Sequence, residues 1–354
     1  LFFIILLFIN LIFFAAALTF INTEKKMRLM VFTIIVFGSL MAFFGVIMSF
    51  TSNNPNSILG LRENPGAFPF ATFVNRHHFA AFMNMTIGLT LGLLYGKATK
   101  SDKRLLLIIA LFLMGIALVF TGSRGGIFSL FGVVGFVVFI NLLQKNEIDE
   151  FDEKPSTFRR KFVLIGSGLA LILVLFGSVL MLGGDSSLMR GIGLGSETEI
   201  SNGRMHFWYV TLQIILHNPI LGTGLDAYGI AFSRYDTWNG NFRIEQAHNE
   251  YLQILADAGI FGFLCIAAFI YFLFKQGLRI VSGTTDRFRQ SAAVGALAGC
   301  FGVLIHSFFD FPLRTSSNGL FFLMLAALAT ISIKDSESFP RKRSRRSKTE
   351  SVPG

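Results

Sequence analysis

Nine apolar runs, at 1–21, 29–50, 78–95, 105–121, 126–143, 162–182, 259–274, 291–309 and 318–333, leave this chain of 354 residues few ways to fold. A helix needs about 20 mostly apolar residues to cross roughly 30 Å of hydrocarbon, and each run has or approaches that length. The runs are continuously apolar rather than alternating, which argues against membrane-spanning strands. Composition agrees, with 53% hydrophobic and only 15% charged residues, where soluble domains carry about 25% charged. Mean hydropathy is +0.61. The expected fold is all-α, a polytopic helical membrane protein with about nine transmembrane helices and one large, partly helical outer loop. Leu1 opens the chain inside an apolar run, which suggests an N-terminal truncation.

The connections between runs alternate in charge. Lys25, Lys26 and Arg28 follow the first run, and Lys97, Lys100, Lys103 and Arg104 follow the third. Lys145, Lys154, Arg159, Arg160 and Lys161 follow the fifth; Lys275, Arg279, Arg287 and Arg289 follow the seventh. After the ninth comes a tail rich in Arg341, Lys342, Arg343, Arg345, Arg346 and Lys348. Basic connections stay on the cytoplasmic side, so one orientation satisfies all of them and puts 51–77, 122–125, 183–258 and 310–317 outside. The expected organisation is transmembrane helices 1–6 over 1–182, an outer loop over 183–258, helices 7–9 over 259–333, and a basic cytoplasmic tail over 334–354. The net charge of +10 then reflects attraction to anionic membrane lipid. No folded basic domain accompanies it, so nucleic acid is excluded as a partner. Cys265 and Cys300 fall inside spans, so they imply no disulfide framework.

The segment 183–258 is too long and too patterned for a simple connector. A glycine-rich stretch, Gly183 to Gly195, leads to Ser201 and Asn202, which can cap a helix carrying Arg204, Trp208, Leu212 and Ile215. Its apolar spacing suggests a helix lying on the membrane surface. A turn at Asn218-Pro219 to Gly224 and an aromatic polar stretch follow. The segment from Ala247 then runs into the seventh span, with His248, Tyr251, Leu252 and Leu255 expected on one helical face. At 1.5 Å per residue, His248 sits roughly 15 Å above the entry into the bilayer near Asp257. The plain alternative is an interfacial histidine bonded to a loop carbonyl.

The pattern around it narrows the choice. His248-Asn249, nine residues, Gly259, two residues, Gly262 resembles the signature of the O-antigen ligase and O-antigen polymerase superfamily. Asn75-Arg76-His77-His78-Phe79-Ala80, Thr121-Gly122-Ser123-Arg124-Gly125-Gly126 and Gly203-Arg204 through Trp208 are similar to that family too. So are Asn218 to Gly224 and the last outer turn with His306, Asp310 and Pro312. The resemblance covers most of residues 60–330. It implies transfer of a glycan from an undecaprenyl-diphosphate carrier to an acceptor hydroxyl on the outer, periplasmic face of a bacterial inner membrane. The acceptor is a growing glycan, a lipid A core or a protein, and the residues do not choose among them.

The residue types suit that chemistry. A lipid diphosphate gains negative charge as it leaves, and arginine offers a permanently charged planar fork to phosphate oxygens. A histidine is suited to take the acceptor proton. His248 is therefore assigned as general base and Arg124 and Arg204 as diphosphate clamps, with Arg76, His78 and Asn249 binding substrate. Arg76 and Arg124 could instead snorkel to headgroups, but Gly125 and Gly126 beside Arg124 expose backbone N–H groups to an anion. His77 is as well explained by packing. Glu250 either orients His248 or faces water, and His306 and Asp310 are expected to pair locally. The acidic cluster Glu147, Asp149, Glu150, Asp152 and Glu153 falls on the cytoplasmic side, away from the arginines, so no metal or other cofactor is expected. The competing reading is a small-solute, bicarbonate-like transporter, which would place ionisable groups near mid-membrane; here the polar residues gather outside.

Overall fold

The computed structural model describes residues 2–51, 57–58, 62–63, 68–143, 166, 204–237 and 244–333. These form α1 (Phe2–Phe20), α2 (Glu24–Thr51), α3 (Arg76–Tyr95), α4 (Ser101–Phe120), α5 (Arg124–Leu143), α6 (Arg204–His217), α7 (Tyr228–Tyr235), α8 (Glu250–Gly283), α9 (Arg287–His306) and α10 (Ser316–Thr330), with a 3-10 turn at Pro312–Arg314. Helices α2, α3, α4, α5, α8 and α9 are long and apolar enough to cross a membrane, while Ile5–Phe20 and Ser316–Thr330 are shorter apolar helices. The chain is a multi-pass, all-α membrane protein. Run 162–182, the glycine-rich stretch at 183–195, the acidic cluster at 147–153 and the tail lie outside the described residues. Between α2 and α3 the chain makes a two-residue antiparallel ladder, Ser57–Ile58 with Arg62–Glu63.

The helices differ in what they face. On α2 and α4, Phe37, Leu40, Phe43, Leu105, Ile109 and Phe112 are exposed, as lipid-facing positions should be. Helix α3 is instead buried along almost its whole length. It carries Asn84, Thr86 and Thr90, which lipid would penalise. Thr86 and Thr90 donate to the carbonyls of Phe82 and Thr86, and Asn84 Nδ2 donates to Gly126 O at 2.8 Å. Its Gly88 and Gly92 meet Gly299 and Gly295 of α9 backbone to backbone, leaving no room for a Cβ. Small residues at four-residue spacing allow this close crossing of membrane helices.

One end of the bundle is basic. Arg28 stacks on the Phe288 ring with 4.0 Å to the centroid, and Lys103 lies 5.2 Å over Phe32. Arg289 is buried there. Its guanidinium donates to the carbonyls of Leu328, Ala329 and Ile331 and so caps the negative end of α10. At the other end meet the N-termini of α3, α5 and α8, the C-terminus of α9 and helices α6 and α7.

Helices α6 and α7 enclose a small core of their own around Phe207, Val210, Ile214, Tyr228 and Phe232. The face buried is thus Phe207, Val210, Thr211 and Ile214, leaving Leu212 exposed. A clasp fixes this unit to α8. Gly259 has φ 62° and ψ −166°, a break inside the helix. The carbonyls of Ala256 and Asp257 accept from Thr223 and Gly224 N–H, and Ile260 N–H donates to Pro219 O at 2.9 Å. Gly222, at φ 69°, lies against the Asp257–Ala258 backbone. Only glycine tolerates positive φ and backbone contact together, which explains the spacing of Gly259 from the histidine.

Candidate active site

His248 is not on the helix where its spacing placed it. It precedes the N-cap residue Asn249, with φ 50°. A left-handed histidine costs on the order of 1–2 kcal/mol and persists only where its neighbours hold it. Those neighbours are visible. Trp208 Nε1 donates to Ala247 O at 3.0 Å, Ala247 N–H donates to Gln253 Oε1 at 2.6 Å, and Glu250 N–H donates to Ser307 O at 2.9 Å. Asn249 Oδ1 accepts from Tyr251 and Leu252 N–H at 3.1 and 3.2 Å. Asn249, expected to bind substrate, thus spends its side-chain oxygen on starting α8.

This backbone aims the imidazole at Asp310, with Nδ1 3.1 Å from Oδ1. Asp310 is 1% exposed and the His248 side chain 34%, so the ring is anchored at Nδ1 while part of it stays open. Burial alone would raise the Asp310 carboxyl, but the His248 hydrogen bond and the nearby histidines outweigh it and hold it well below the usual carboxylate range. Asp310 and His306 do not pair through their side chains; their link is Asp310 N–H to His306 O at 3.1 Å. Two aromatic rings flank the imidazole: Phe207 stacks at 6.3 Å between centroids and Phe311 stands edge-on at 5.1 Å. Phe311 also stands 5.1 Å from His78.

His78 is held by Thr315 Oγ1 at Nδ1, 2.6 Å, and its carbonyl accepts from Asn318 at 2.9 Å. His77 reaches the other way, with Nδ1 2.9 Å from Ser123 Oγ. Ser123 Oγ in turn accepts Gly126 N–H at 3.1 Å. The two glycines beside Arg124 thus serve packing: Gly125 lies against Phe309 and His306, and Gly126 against Ala80, with the Gly126 N–H already bonded. They let α5 start flush against α3 and α9, which brings Arg124 to the same end of the bundle as His248.

Three arginines lie at this end of the bundle. Arg76 begins α3, with its guanidinium over the Phe68 ring at 5.2 Å and near the left-handed turn at Gly122. Arg124 begins α5, and Arg204 begins α6 one turn before Phe207. Burial lowers the Arg204 guanidinium from its ordinary range; the Asp310 charge opposes this and Arg124 adds to it. The guanidinium remains charged at any working pH. Among the described residues neither Arg124 nor Arg204 has a carboxylate at ion-pair distance, whereas Arg314 pairs with Glu250 at 3.2 Å and Asp257 at 2.8 Å. Glu250 is buried in that pair, turned neither to His248 nor to water. Also among the described residues, no three His, Cys, Asp or Glu side chains are grouped as a metal site.

The structure therefore brings His248, Arg76, Arg124, Arg204 and His78 to one end of the bundle. Sequence reasoning missed the role of Asp310, the His77–Ser123 bond and the Phe207–Phe311 frame. A carboxylate at the edge of a span, at Asp310, was the one available signal for the first. Residues 109–267 match the family model described as O-Antigen ligase, which spans Arg124, Arg204 and His248. This match shows the resemblance read from the motifs. No curated protein matches the chain.

Proposed function

We propose that the chain is a membrane glycosyltransferase of the O-antigen ligase or polymerase type, moving a glycan from an undecaprenyl-diphosphate carrier to an acceptor hydroxyl. The observation that carries this reading is the buried Asp310 bonded to His248, at the end of the bundle away from the basic turns and shared with the arginines that begin α3, α5 and α6. With the basic turns on the cytoplasmic side, that end is the outer face, which this reading takes as the periplasmic face of a bacterial inner membrane.

The geometry supports a sequence of roles. Asp310 is an acceptor, so Nδ1 of His248 carries the proton and Nε2 presents its lone pair. The acceptor hydroxyl oxygen attacks the anomeric carbon as its proton passes to Nε2. The bond from that carbon to the diphosphate oxygen breaks, and its electron pair leaves with the diphosphate. Arg124 and Arg204, with Arg76, neutralise the charge that accumulates there, the kind of fixed stabilisation that is usually the largest catalytic contribution. Attack opposite the leaving group inverts the anomeric centre. The reading is metal-independent, because the permanent arginine charges supply what a divalent cation would. The acceptor is a hydroxyl of a growing glycan, a lipid A core or a protein.

The transporter alternative draws no support from the family match, and the His248–Asp310 pair lies at one end of the bundle. The test is to supply purified protein in nanodiscs with an undecaprenyl-diphosphate oligosaccharide and a hydroxyl-bearing glycan. Transfer with release of undecaprenyl diphosphate is expected. Uptake of solute into proteoliposomes without transfer would contradict the reading.

A further inference from the structure

Arg314 follows Asp310 on the 3-10 turn Pro312–Arg314. Its guanidinium reaches back to the start of α8, where Nε donates to Glu250 Oε1 at 3.2 Å and Nη2 to Asp257 Oδ2 at 2.8 Å. Gln253 stands between these two carboxylates on the same buried face of α8. Its Nε2 donates to Asp257 Oδ2 at 3.3 Å, and its Oε1 accepts Ala247 N–H at 2.6 Å. The residue before His248 is thus tied, through Gln253 and Asp257, to the turn that carries Asp310. On the other side of His248, Glu250 is tied to that outer turn twice. Its N–H donates to Ser307 O at 2.9 Å, and its carboxylate accepts from Arg314.

Net stability accounts poorly for this arrangement. Two buried carboxylates share one guanidinium, and desolvation offsets most of what a buried ion pair gains by attraction. We propose that Arg314 is a positioning residue for the His248–Asp310 pair: by gripping Glu250 and Asp257 it sets the spacing of the two segments that carry the imidazole and the carboxylate. A planar fork suits this task, because two of its nitrogens reach two carboxylates at once, which a single ammonium does not. The same grip supplies the neighbours that keep His248 at its left-handed φ of 50°. A misplacement of about 1 Å at a reacting group costs up to roughly 10²-fold in rate, so a residue that never touches substrate governs turnover. What the pair does rests on the glycosyltransferase reading; the hold on His248 does not.

Two variants of the full chain in nanodiscs test this. Arg314→Lys keeps the charge and loses the fork, while Gln253→Leu cuts the tie to Ala247 and leaves the Arg314 pairs in place. Carbethoxylation by diethyl pyrocarbonate, followed at each histidine by mass spectrometry, needs no substrate. His248 should react several-fold faster in both variants, with exposed His217 unchanged and buried His306 still protected. In transfer assays kcat should fall about 10²-fold in Arg314→Lys while the KM for the lipid donor changes little. Adding Arg314→Lys to Asp310→Asn should cost no more than Asp310→Asn alone, as for residues acting through one contact. Faster modification of His248 in the variants, with no transfer even by the wild type, would support the hold and overturn only the glycosyltransferase reading. Unchanged modification of His248 in both variants, or loss of His306 protection in both, would overturn the proposal. So would full transfer by Arg314→Lys, or losses that add to those of Asp310→Asn.

Discussion

The Nδ1 atom of His248 lies 3.1 Å from Oδ1 of Asp310, 62 residues further along the chain. That one bond ties the start of α8 to the turn after α9, and it fixes which imidazole nitrogen faces the open side. The left-handed backbone at His248 makes the approach possible, and the bonds at Ala247 and Glu250 keep it there.

Removing only the charge of this partner tests its role. Asp310→Asn is expected to lower turnover by about 10²-fold, within the range of general-base help, while the KM for the lipid donor changes little. Because the two residues act as one unit, combining it with His248→Ala should cost no more than His248→Ala alone. Additive losses in steady-state assays would separate Asp310 from the base.

The same carboxylate predicts a pH dependence of stability. Its folded-state pKa is depressed, so it stabilises the fold above its unfolded value, about 3.9, and loses that contribution as pH falls through the folded one. Thermal unfolding in detergent should show a Tm gap between wild type and Asp310→Asn at about pH 5 that narrows in stronger acid. A gap that widens on acidification would contradict the assigned sign.

The arginines are expected to act by charge and shape together. Arg124→Ala or Arg204→Ala should abolish transfer in protein that still inserts, since among the described residues neither guanidinium pairs with a carboxylate. Lysine at either position should restore only part of the activity, because a point charge replaces a bidentate fork. Full activity in Arg124→Ala would remove that residue from the site.

Sidedness follows from the two ends of the bundle. Reporter fusions after Ser196 and after Arg346 should report periplasm and cytoplasm respectively. Both reporters on one side would overturn the orientation and the external placement of the site.

Much of this was legible in the sequence, and the rest was hidden for physical reasons. Contiguous apolar runs show themselves in one dimension, so α2 to α5, α8 and α9 follow directly from them. His248 and the three arginines were legible because permanently charged or titratable groups at span ends stand out against lipid-facing residues. Asp310 was not, since its partner is set by a positive φ at His248 that no periodicity encodes. That Asn249 caps α8 was not legible, because a cap and a binding group can use the same amide oxygen. The glycines of α3 and α9 show their purpose only when Gly88 meets Gly299 and Gly92 meets Gly295.

The most direct test of the account is the rate of glycan transfer from a purified lipid-diphosphate-linked oligosaccharide, wild type against His248→Ala, in nanodiscs. The account predicts a fall of about 10²-fold or more, with carrier binding nearly intact because the arginines hold the diphosphate, and no response of either protein to EDTA. Equal rates in the two proteins would return His248 to an interfacial role and contradict the assignment of the base.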